Sequence, residues 1–489
     1  MSMQKKLCLF LLIMGILAAS ETGCGGKEES VTETTAGTSE NAESIGETDY
    51  LDTLPQKNFD GAIFSMIGPQ NSARQTFALE EETGEPINDA LVRRDMLVED
   101  TYNVDIRTLL VDAPHTTVSN AILAGDAPYD VVMGTMIQTQ KTLAVGHLLT
   151  DLQELPYLQP DKEWWCAASY DTLMLDGHLY MTTGPITPQY YFSPSVMAYN
   201  STLAKNYNLP DIDQIVLDGK WTLDLFKTFT ADTSLDLNGD GVMNLGDDQY
   251  AYVYDGGVTA SGMFVSCGNS FFGYDDNGNI IVDLLTDKVL NDMERIHSII
   301  SDDRITMDGY AAMTRYSAEH KCENLEFAAG RALFVGNSIA NMMEFYRDME
   351  DDYCIIPCPK ADEKQETYRS YANPWCLGGV GVPMNIEDPE KTGYLLEVMA
   401  YISYETVRPE QYDGMLKNKM ARNERQHLLL DLIFDNIFYD LNQIFDFGGS
   451  AAMTQNALIS KYETFASDYA KIKSKIQTDI DKLKESLGQ

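Results

Sequence analysis

The chain has 489 residues, of which 35 are Lys or Arg and 75 are Asp or Glu, so its formal net charge is −40. That length is typical of two or three domains with cores of their own, and the 44% share of apolar residues excludes a largely disordered protein. The acidic excess argues against nucleic acid as a partner, because phosphate contacts need a basic surface, and it disfavours electrostatic attachment to anionic lipid.

The N-terminus has the pattern of a sorting signal. Two lysines precede an apolar run, Leu7–Ala19, which is too short to span a bilayer. The Gly-Cys junction that ends at Cys24 resembles a bacterial lipoprotein signal, in which the cysteine is lipidated and becomes the new N-terminus. Glu21 stands where such signals usually carry Leu, so cleavage near residues 18–20 is the alternative. We predict a signal peptide at residues 1–23 and a lipid on Cys24, which holds the protein on the outer face of the cell membrane.

Residues 24–57 are rich in Glu, Ser, Thr and Gly and contain almost no large apolar side chains. This composition predicts a disordered tether. The cysteines beyond it show no spacing typical of a disulfide scaffold, so we expect buried free thiols, with one disulfide as the alternative. They are Cys166, Cys267, Cys322, Cys354, Cys358 and Cys376.

Strand and helix patterns alternate after the tether. A strand is predicted at Ala62–Ile67, a helix from Ile87, a strand at Val104–Leu110, a helix that Gly125 stops, and a strand over 129–134. This order predicts a parallel sheet with helices on both faces. Ligands of such sheets bind in the loops beyond the carboxyl ends of the strands.

A second group of strands follows a crossover rich in Pro, Tyr and Phe. Strand patterns occur at Ser195–Asn200, within 327–338, at 353–360 and around 375–383, and amphipathic helices dominate from Ile386 onward. The three glycines near 380 lie within a strand-like run rather than in a phosphate-binding loop.

Six segments, taken in their order and spacing, carry a resemblance to a known family. They are EEETGEPINDALVRRDMLVEDTYNVDI (80–106), AILAGDAPYDVVMG (121–134), DGHLYMTTG (176–184), VMAYNSTLAKNYNLP (196–210), GKWTLDLFKTFTADTSLDLNGDG (219–241) and FAAGRALF (327–334). The chain resembles the extracellular solute-binding proteins of bacterial carbohydrate ABC transporters, and the resemblance covers nearly all of residues 58–489. It implies a two-lobed α/β fold of the periplasmic-binding-protein type II, in which each lobe is a mostly parallel sheet flanked by helices.

The same resemblance implies the domain organisation and the function. Lobe 1 would comprise residues 58–190 plus about 360–410, and lobe 2 residues 191–359 plus about 411–489, joined by crossover strands. The lobes would close on a carbohydrate, an oligosaccharide, and present it to an ABC transporter permease without catalysis. We expect a monomer. The alternatives are a secreted polysaccharide-degrading enzyme and a binding protein for a peptide or an organic anion.

The enzyme alternative finds little support in the sequence. The six histidines are dispersed and form no metal-binding pattern. A nucleophile elbow, a P-loop and a dinucleotide-binding fingerprint are all missing from the sequence.

Strand exits and loop aromatics supply the candidate ligand residues. Sugar rings stack their C–H faces on Trp or Tyr, and their hydroxyls need planar polar partners such as Asn, Gln, Asp or Arg. We predict that the cleft is lined by Gln70, Asn71, Arg74, Thr135, Tyr190, Asn337 and Trp375. The alternative for each of them is a cap, a turn or packing. Trp221 is assigned to packing, because Thr222 can cap the following helix.

The loop DLNGDGVMNLGD has the spacing of an EF-hand calcium site. Side-chain oxygens fall at positions one, three, five, nine and twelve, a glycine stands at position six, and a main-chain carbonyl is available at position seven. The predicted structural calcium ligands are Asp236, Asn238, Asp240, the carbonyl of Val242, and Asp247. The last residue is Asp where a Glu is usual, and the alternative is a surface turn rich in Asp and Asn that holds no metal.

Overall fold

The computed structural model describes residues 49–70, 81–175, 177–275, 279–319, 321–420 and 424–486. The helix α1 (Tyr50–Thr53) lies outside the main body, which begins at Leu54. Leu54 is only 9% exposed, and the carbonyl of Pro55 accepts a hydrogen bond from the Tyr394 hydroxyl. These groups of the segment predicted as the end of the tether pack on the body, and the bounds of the tether stay a prediction.

The strands are β1 (Ala62–Pro69), β2 (Val104–Val111), β3 (Val131–Thr135), β4 (Ser195–Asn200), β5 (Tyr250–Tyr254), β6 (Gly273–Tyr274), β7 (Ile280–Ile281), β8 (Thr306–Asp308), β9 (Ala332–Ser338), β10 (Tyr353–Ile356), β11 (Ser370–Tyr371), β12 (Gly378–Gly381) and β13 (Ile437–Phe438). The further α-helices are α2 (Pro86–Tyr102), α3 (Pro114–Ala124), α4 (Lys141–Val145), α5 (Ala167–Leu173), α6 (Ser201–Asn206), α7 (Ile212–Leu217), α8 (Leu223–Thr230), α9 (Gly256–Ser266), α10 (Asp287–Ile300), α11 (Gly309–Tyr316), α12 (Cys322–Ala328), α13 (Ile339–Phe345), α14 (Pro389–Ile402), α15 (Glu424–Phe434), α16 (Leu441–Phe445), α17 (Ser450–Asn456) and α18 (Phe465–Ser486). Short 3-10 helices lie at Leu152–Glu154, Pro188–Phe192, Phe447–Gly449 and Tyr462–Thr464, and π-helices at Met136–Gln140, Ser403–Val407, Glu410–Met420 and Ala457–Lys461.

The first sheet has the strand order β12-β3-β1-β2. Strand β1 pairs in parallel with β2 and β3, as the alternating pattern predicted, and β12 joins antiparallel to β3. The glycines of β12 let the π-helix after β3 pack closely, since a Cβ on Gly379 would lie 2.8 Å from Gln140 Cγ and 2.8 Å from Met136 Sδ. The side-chain amide of Gln140 then bridges the two strands by donating to the carbonyls of Val132 and Gly379.

The second sheet has the strand order β10-β4-β9-β5-β8. Strands β9, β5 and β8 are parallel, whereas β4 pairs antiparallel with both β9 and β10. This sheet is therefore evenly mixed rather than mostly parallel, because the strand that enters it after the crossover runs against its neighbours. Its core continues into the helices beyond residue 412, where Tyr412, Leu416 and Leu430 pack with buried residues of β4 and β9.

The chain passes between the two sheets at three places: between β3 and β4, between β10 and β12, and between α14 and α15. The third connection is π-helical over Ser403–Val407 and Glu410–Met420. One buried guanidinium ties two of these connections to α2, because Arg94 donates to the carbonyl of Ile186 and to the hydroxyl of Ser403.

Several local predictions are confirmed. Trp221 is fully buried, its ring packs against Phe226, and the Thr222 hydroxyl caps α8 by accepting from the amide of Leu225. Cys166, Cys267, Cys322 and Cys358 are buried thiols, as predicted, whereas Cys354 and Cys376 are only partly buried. Over the residues that the structure describes, we find no helix that combines the length and the apolar character needed to cross a membrane.

Candidate functional site

The loop 373–377 links the ends of both sheets. On the side of the first sheet, the amides of Met136 and Ile137, which directly follow β3, donate to the carbonyls of Leu377 and Pro374. On the side of the second sheet, the Cys376 thiol lies 3.8 Å from the hydroxyl of Ser338, the last residue of β9. The carboxyl ends of β3 and β9 therefore meet at this loop, where the strand-exit rule places ligands.

Trp375 occupies the middle of that loop and leaves 51% of its surface exposed. Its amide donates to the Asn373 side chain at 3.0 Å, which fixes the turn and leaves the indole outside the packed core. Gln138 is also exposed and follows Ile137, the residue bonded to Pro374. An indole and a planar amide thus share one end of the two sheets.

Three of the predicted ligand residues follow strand β1. Gln70 is exposed, and its main-chain amide donates to the carbonyl of Val111 at the end of β2. Asn71 and Arg74 lie outside the residues that the structure describes. Gln70 is therefore the described member of this group, and it stands at the carboxyl edge of the first sheet.

Thr135 and Asn337 have side chains that are engaged inside the protein. Thr135 is 7% exposed, and its hydroxyl accepts from the amide of Gln138, which caps the π-helix after β3. Asn337 is 3% exposed and donates to Glu323 Oε1 and Asn324 Oδ1, both at 3.2 Å. Both side chains are therefore hydrogen-bonded locally at the ends of their strands, and their role in ligand binding stays a prediction.

Glu323 is the buried group that sequence reasoning missed. It is 1% exposed, its Oε1 accepts from Asn324 at 2.8 Å, and a Cβ on Gly309 would lie 2.2 Å from its Oε2. Burial, reinforced by repulsion from Asp255, raises the pKa of Glu323 to about 7. No signal in the sequence marks it, since its environment depends on the close approach of α11 to α12.

Tyr310 is an exposed aromatic that the strand-exit rule could have found. It follows β8 by two residues and is 55% exposed. It lies over the start of α9, because a Cβ on Gly256 would be 2.8 Å from Tyr310 Cδ2. Strands β8, β5 and β9 are parallel, so Tyr310 and the loop of Trp375 stand at the same edge of the second sheet.

Tyr190 lies in the first connection and lines a separate cavity of about 280 Å³. Its ring packs edge-on against Tyr191 at 4.7 Å. The side chains of Thr187 and Gln189, in the same segment, approach Gly378 of strand β12 instead. Neither Trp375 nor Asn337 lines this cavity.

The predicted calcium loop is an exposed turn held by its own main chain. The carboxylate of Asp236 accepts from the amides of Gly239 at 2.6 Å and Gly241 at 2.7 Å, and Asn238 and Asp240 each accept an amide two residues on. Asp248, fully buried, closes the loop by accepting from the amides of Leu237 and Asn244, whereas Asp247 is exposed.

These hydrogen bonds are those expected of the alternative interpretation, a surface turn rich in Asp and Asn. No group of three or more His, Cys, Asp or Glu side chains in the described part of the chain is arranged to hold a metal ion. Calcium binding by Asp236, Asn238, Asp240, Val242 and Asp247 stays a prediction.

No protein-family model matches the sequence, and no curated protein sequence is significantly similar to it. Solved structures do match its fold. The galacto-N-biose/lacto-N-biose I-binding protein of the ABC transporter from Bifidobacterium longum, in complex with lacto-N-biose, has a TM-score of 0.56 at 12% identity, covering 88% of this chain and 99% of that one.

Two further structures show the same likeness. The cyclic α-maltosyl-1,6-maltose binding protein from Arthrobacter globiformis has a TM-score of 0.55 at 12% identity, covering 87% of this chain and 99% of that one. The protein UgpB from Mycobacterium tuberculosis, in complex with glycerophosphocholine, has a TM-score of 0.51 at 14% identity, covering 88% of this chain and 98% of that one. The predicted fold is confirmed: the chain has the two-lobed α/β fold of ABC-transporter substrate-binding proteins.

Proposed function

We propose that the protein is an extracytoplasmic solute-binding protein of an ABC importer, which captures a carbohydrate between its two lobes and delivers it to a permease. The fold supports this proposal, since nearly the full length of several binding proteins of this type aligns with the chain. Two of the three structures compared are those of oligosaccharide-binding proteins.

The observation that carries the proposal is the exposed indole of Trp375 on the loop that links both sheets. An exposed indole offers a flat apolar face on which the C–H face of a sugar ring can stack. Gln138 and Gln70 add amide groups at the first sheet, and Tyr310 adds a second ring at the edge of the second sheet. Lobe closure would bring these groups onto one ligand.

The test is a thermal-shift screen against a glycan panel that includes lacto-N-biose and maltotetraose, followed by calorimetry on each ligand that raises the melting temperature. The proposal expects at least one oligosaccharide to stabilise the protein and to be recovered unchanged. A panel without any stabilising sugar would contradict it.

A polysaccharide-degrading enzyme remains the alternative from another class. The same incubation separates the two functions, because release of shortened sugars would show catalysis and overturn the binding function. An organic anion is the second alternative, and one structural neighbour was solved with glycerophosphocholine. Including that compound in the screen tests it directly.

The membrane attachment in this proposal is a lipid on Cys24. The Gly-Cys junction that follows the apolar run in the sequence supports this attachment. The junction lies outside the residues that the structure describes. Metabolic labelling with a fatty acid should mark the wild-type protein and leave Cys24→Ala unlabelled. Release of the wild-type protein into the medium without a lipid would favour cleavage near residues 18–20 instead.

We expect the protein to be a monomer that contacts its permease at the membrane. Cross-linking in cells would detect that contact.

A further inference from the structure

The guanidinium of Arg94, in α2, makes more hydrogen bonds than the pairing of its charge requires. Arg94 is 1% exposed, and a charge buried to that degree needs a partner. The neighbouring carboxylate supplies it, since Arg94 Nε donates to Asp95 Oδ1 at 2.8 Å and Nη2 lies 2.7 Å from the same oxygen. The third nitrogen, Nη1, reaches distant parts of the chain: it donates to the carbonyl of Ile186 at 3.4 Å and to the hydroxyl of Ser403 at 3.2 Å.

Both acceptors stand where a connection leaves the lobe of the first sheet. Shortly before Ile186, the main chain of Thr182 pairs with strand β12 of that sheet. Ser403 directly follows α14, and Lys391 of this helix donates to a main-chain carbonyl of β1. The first and the third connection therefore begin, on the side of the first sheet, at residues that Arg94 holds.

The next anchored residues of these connections belong to the other lobe. Tyr191 and Tyr412 are part of the core of the second sheet. In the third connection, Val407 still packs on buried apolar residues of α2. The stretches between the two sets of anchors are therefore short: 187–190 in the first connection and 408–411 in the third.

We propose that Arg94 is a positioning residue for lobe closure. It fixes the first-sheet ends of two connections, so that the chain bends beyond them, over 187–190 and 408–411. Hinges of this kind consist of a few connecting residues that absorb the change in φ and ψ. Pro409 lies in the second stretch and has no amide hydrogen, which interrupts the helical hydrogen bonding there. The closing motion itself belongs to the proposed function, on which this inference rests.

A role of Arg94 in stability alone leads to a different expectation. Helix α2 is already held on the first lobe by its apolar face, where Leu91 and Val98 are fully buried. Loss of a purely stabilising contact makes global unfolding easier and speeds amide exchange throughout the body. Loss of a bond that positions the connections speeds exchange in those segments and leaves the strands of both sheets protected.

The test is hydrogen–deuterium exchange with mass spectrometry on the mature protein without ligand. Arg94→Lys keeps the charge, but an ammonium lacks the planar fork of donors that serves several acceptors at once. We expect 187–190 and 403–411 to exchange faster in this variant by about tenfold or more, which corresponds to about 1.4 kcal/mol. The strands of both sheets should exchange as in the wild type. Ser403→Ala removes one acceptor and should speed exchange in the third connection alone.

The chain offers two matched controls. Arg93→Lys makes the same substitution at the exposed neighbour in α2. Thr406→Val removes a hydroxyl that, like that of Ser403, donates to the carbonyl four residues earlier but accepts no bond from Arg94. Both controls should exchange as the wild type does. Circular dichroism checks that each variant is folded, and Ser403→Ala decides the test if Arg94→Lys does not fold.

Double electron–electron resonance measures the lobe motion in the same variants. The spin labels replace Leu123 on α3 and Asp232 after α8, which are exposed on the lobes of the first and the second sheet, and genetically encoded azido residues carry them, so the native thiols stay unlabelled. We expect Arg94→Lys to broaden the distribution of distances and Arg93→Lys to leave it unchanged.

Three results would overturn the inference: exchange in both connections as slow as in the wild type, faster exchange spread alike over both sheets, or an unchanged distribution of distances in Arg94→Lys. A glycan screen without any hit would contradict the proposed function instead, because exchange and distances are measured without a ligand.

Discussion

At the scale of single residues, Trp375 carries most of the proposed recognition. Its indole is half exposed, so truncation removes a stacking surface and little of the core. We predict that Trp375→Ala weakens binding of the oligosaccharide found in the screen by about tenfold or more, or about 1.4 kcal/mol, because the sugar loses its stacking partner. Calorimetry on both proteins measures it.

A matched control for that variant is Met384→Ala. Met384 is 54% exposed and lies beyond strand β12, away from the loop 373–377. The control should bind the sugar as the wild type does. Equal affinity of Trp375→Ala and the wild type would remove the main support for the site.

Glu323 gives a prediction for pH dependence. Burial raises the pKa of Glu323 from 4.5 to about 7 in the folded protein, so the folded state holds this proton more tightly than the unfolded state. Glu323 therefore makes the free energy of unfolding fall as pH rises from about 4.5 to about 7, with no further change above that range. In Glu323→Gln this dependence is missing.

We thus predict that the free energy of unfolding of Glu323→Gln, minus that of the wild type, increases between pH 5 and pH 8. The increase should be a few kcal/mol at most, since each unit of pKa shift corresponds to about 1.4 kcal/mol. Urea unfolding at both pH values measures the difference, and all other titrating groups cancel between the two proteins. A difference that stays constant over this range would contradict the assignment of the raised pKa.

The sequence predicted which residues of the site follow strands, and it could not predict which of them are buried. Trp375 and Gln70 are exposed, whereas Asn337 is enclosed by Glu323 and Asn324. That enclosure comes from α12, a helix that precedes β9 in the chain but reaches Asn337 only through tertiary packing. Burial of this kind leaves no local pattern.

At the scale of elements, a buried carboxylate fastens the segment 159–165 to α14. Glu397 is fully buried and accepts from the indoles of Trp164 and Trp165, both at 2.8 Å, and from the amide of Gln159. We predict that Glu397→Gln lowers the free energy of unfolding by about 1 to 3 kcal/mol, because one of the two oxygens becomes a donor that faces another donor.

Urea unfolding followed by tryptophan fluorescence measures this change. The control is Glu405→Gln, which makes the same substitution at an exposed position shortly after the same helix. A loss of stability no larger than that of the control would show that the three hydrogen bonds at Glu397 contribute nothing net.

The loop of Asp236 provides a prediction for calcium. If the five predicted ligands bind the ion, the melting temperature should be higher in calcium than in EDTA, since a ligand that binds only the folded state stabilises it. Asp247→Asn should abolish that difference, because Asp247 is the predicted twelfth-position ligand and makes none of the hydrogen bonds that shape the turn. Asp232→Asn serves as the matched control. Equal melting temperatures in calcium and in EDTA would contradict calcium binding and support the alternative, a surface turn that holds no metal.

Elements with strong local signals were predicted well, and those set by long-range packing were not. The strand at 62–67, the helix from Ile87 and the cap of Thr222 follow from periodicity and capping residues. The π-helices Ser403–Val407 and Glu410–Met420 have no such signal in the local sequence. Ser403, which begins the first of them, accepts a hydrogen bond from Arg94, a residue far away along the chain. The antiparallel entry of β4 likewise depends on the crossover, which the local sequence does not encode.

At the scale of the whole molecule, the three connections join two sheets whose strand ends meet at one loop. Arg94 holds the first and the third connection to α2. The exposed Trp375 lies on the remaining connection, between β10 and β12. This arrangement suits hinge motion, in which a few connecting residues absorb the change while each lobe stays rigid. The acidic surface, with a net charge of −40 over the chain, would keep such a protein away from an anionic envelope.

The central claim is that a carbohydrate binds between the two lobes, causes them to close, and is later released chemically unchanged. Small-angle X-ray scattering with and without the oligosaccharide that gives the largest thermal shift tests it most directly. We predict a smaller radius of gyration in the presence of the sugar, with the sugar recovered intact from the same sample. An unchanged radius of gyration at saturating sugar, or recovery of the sugar as cleavage products, would contradict the claim.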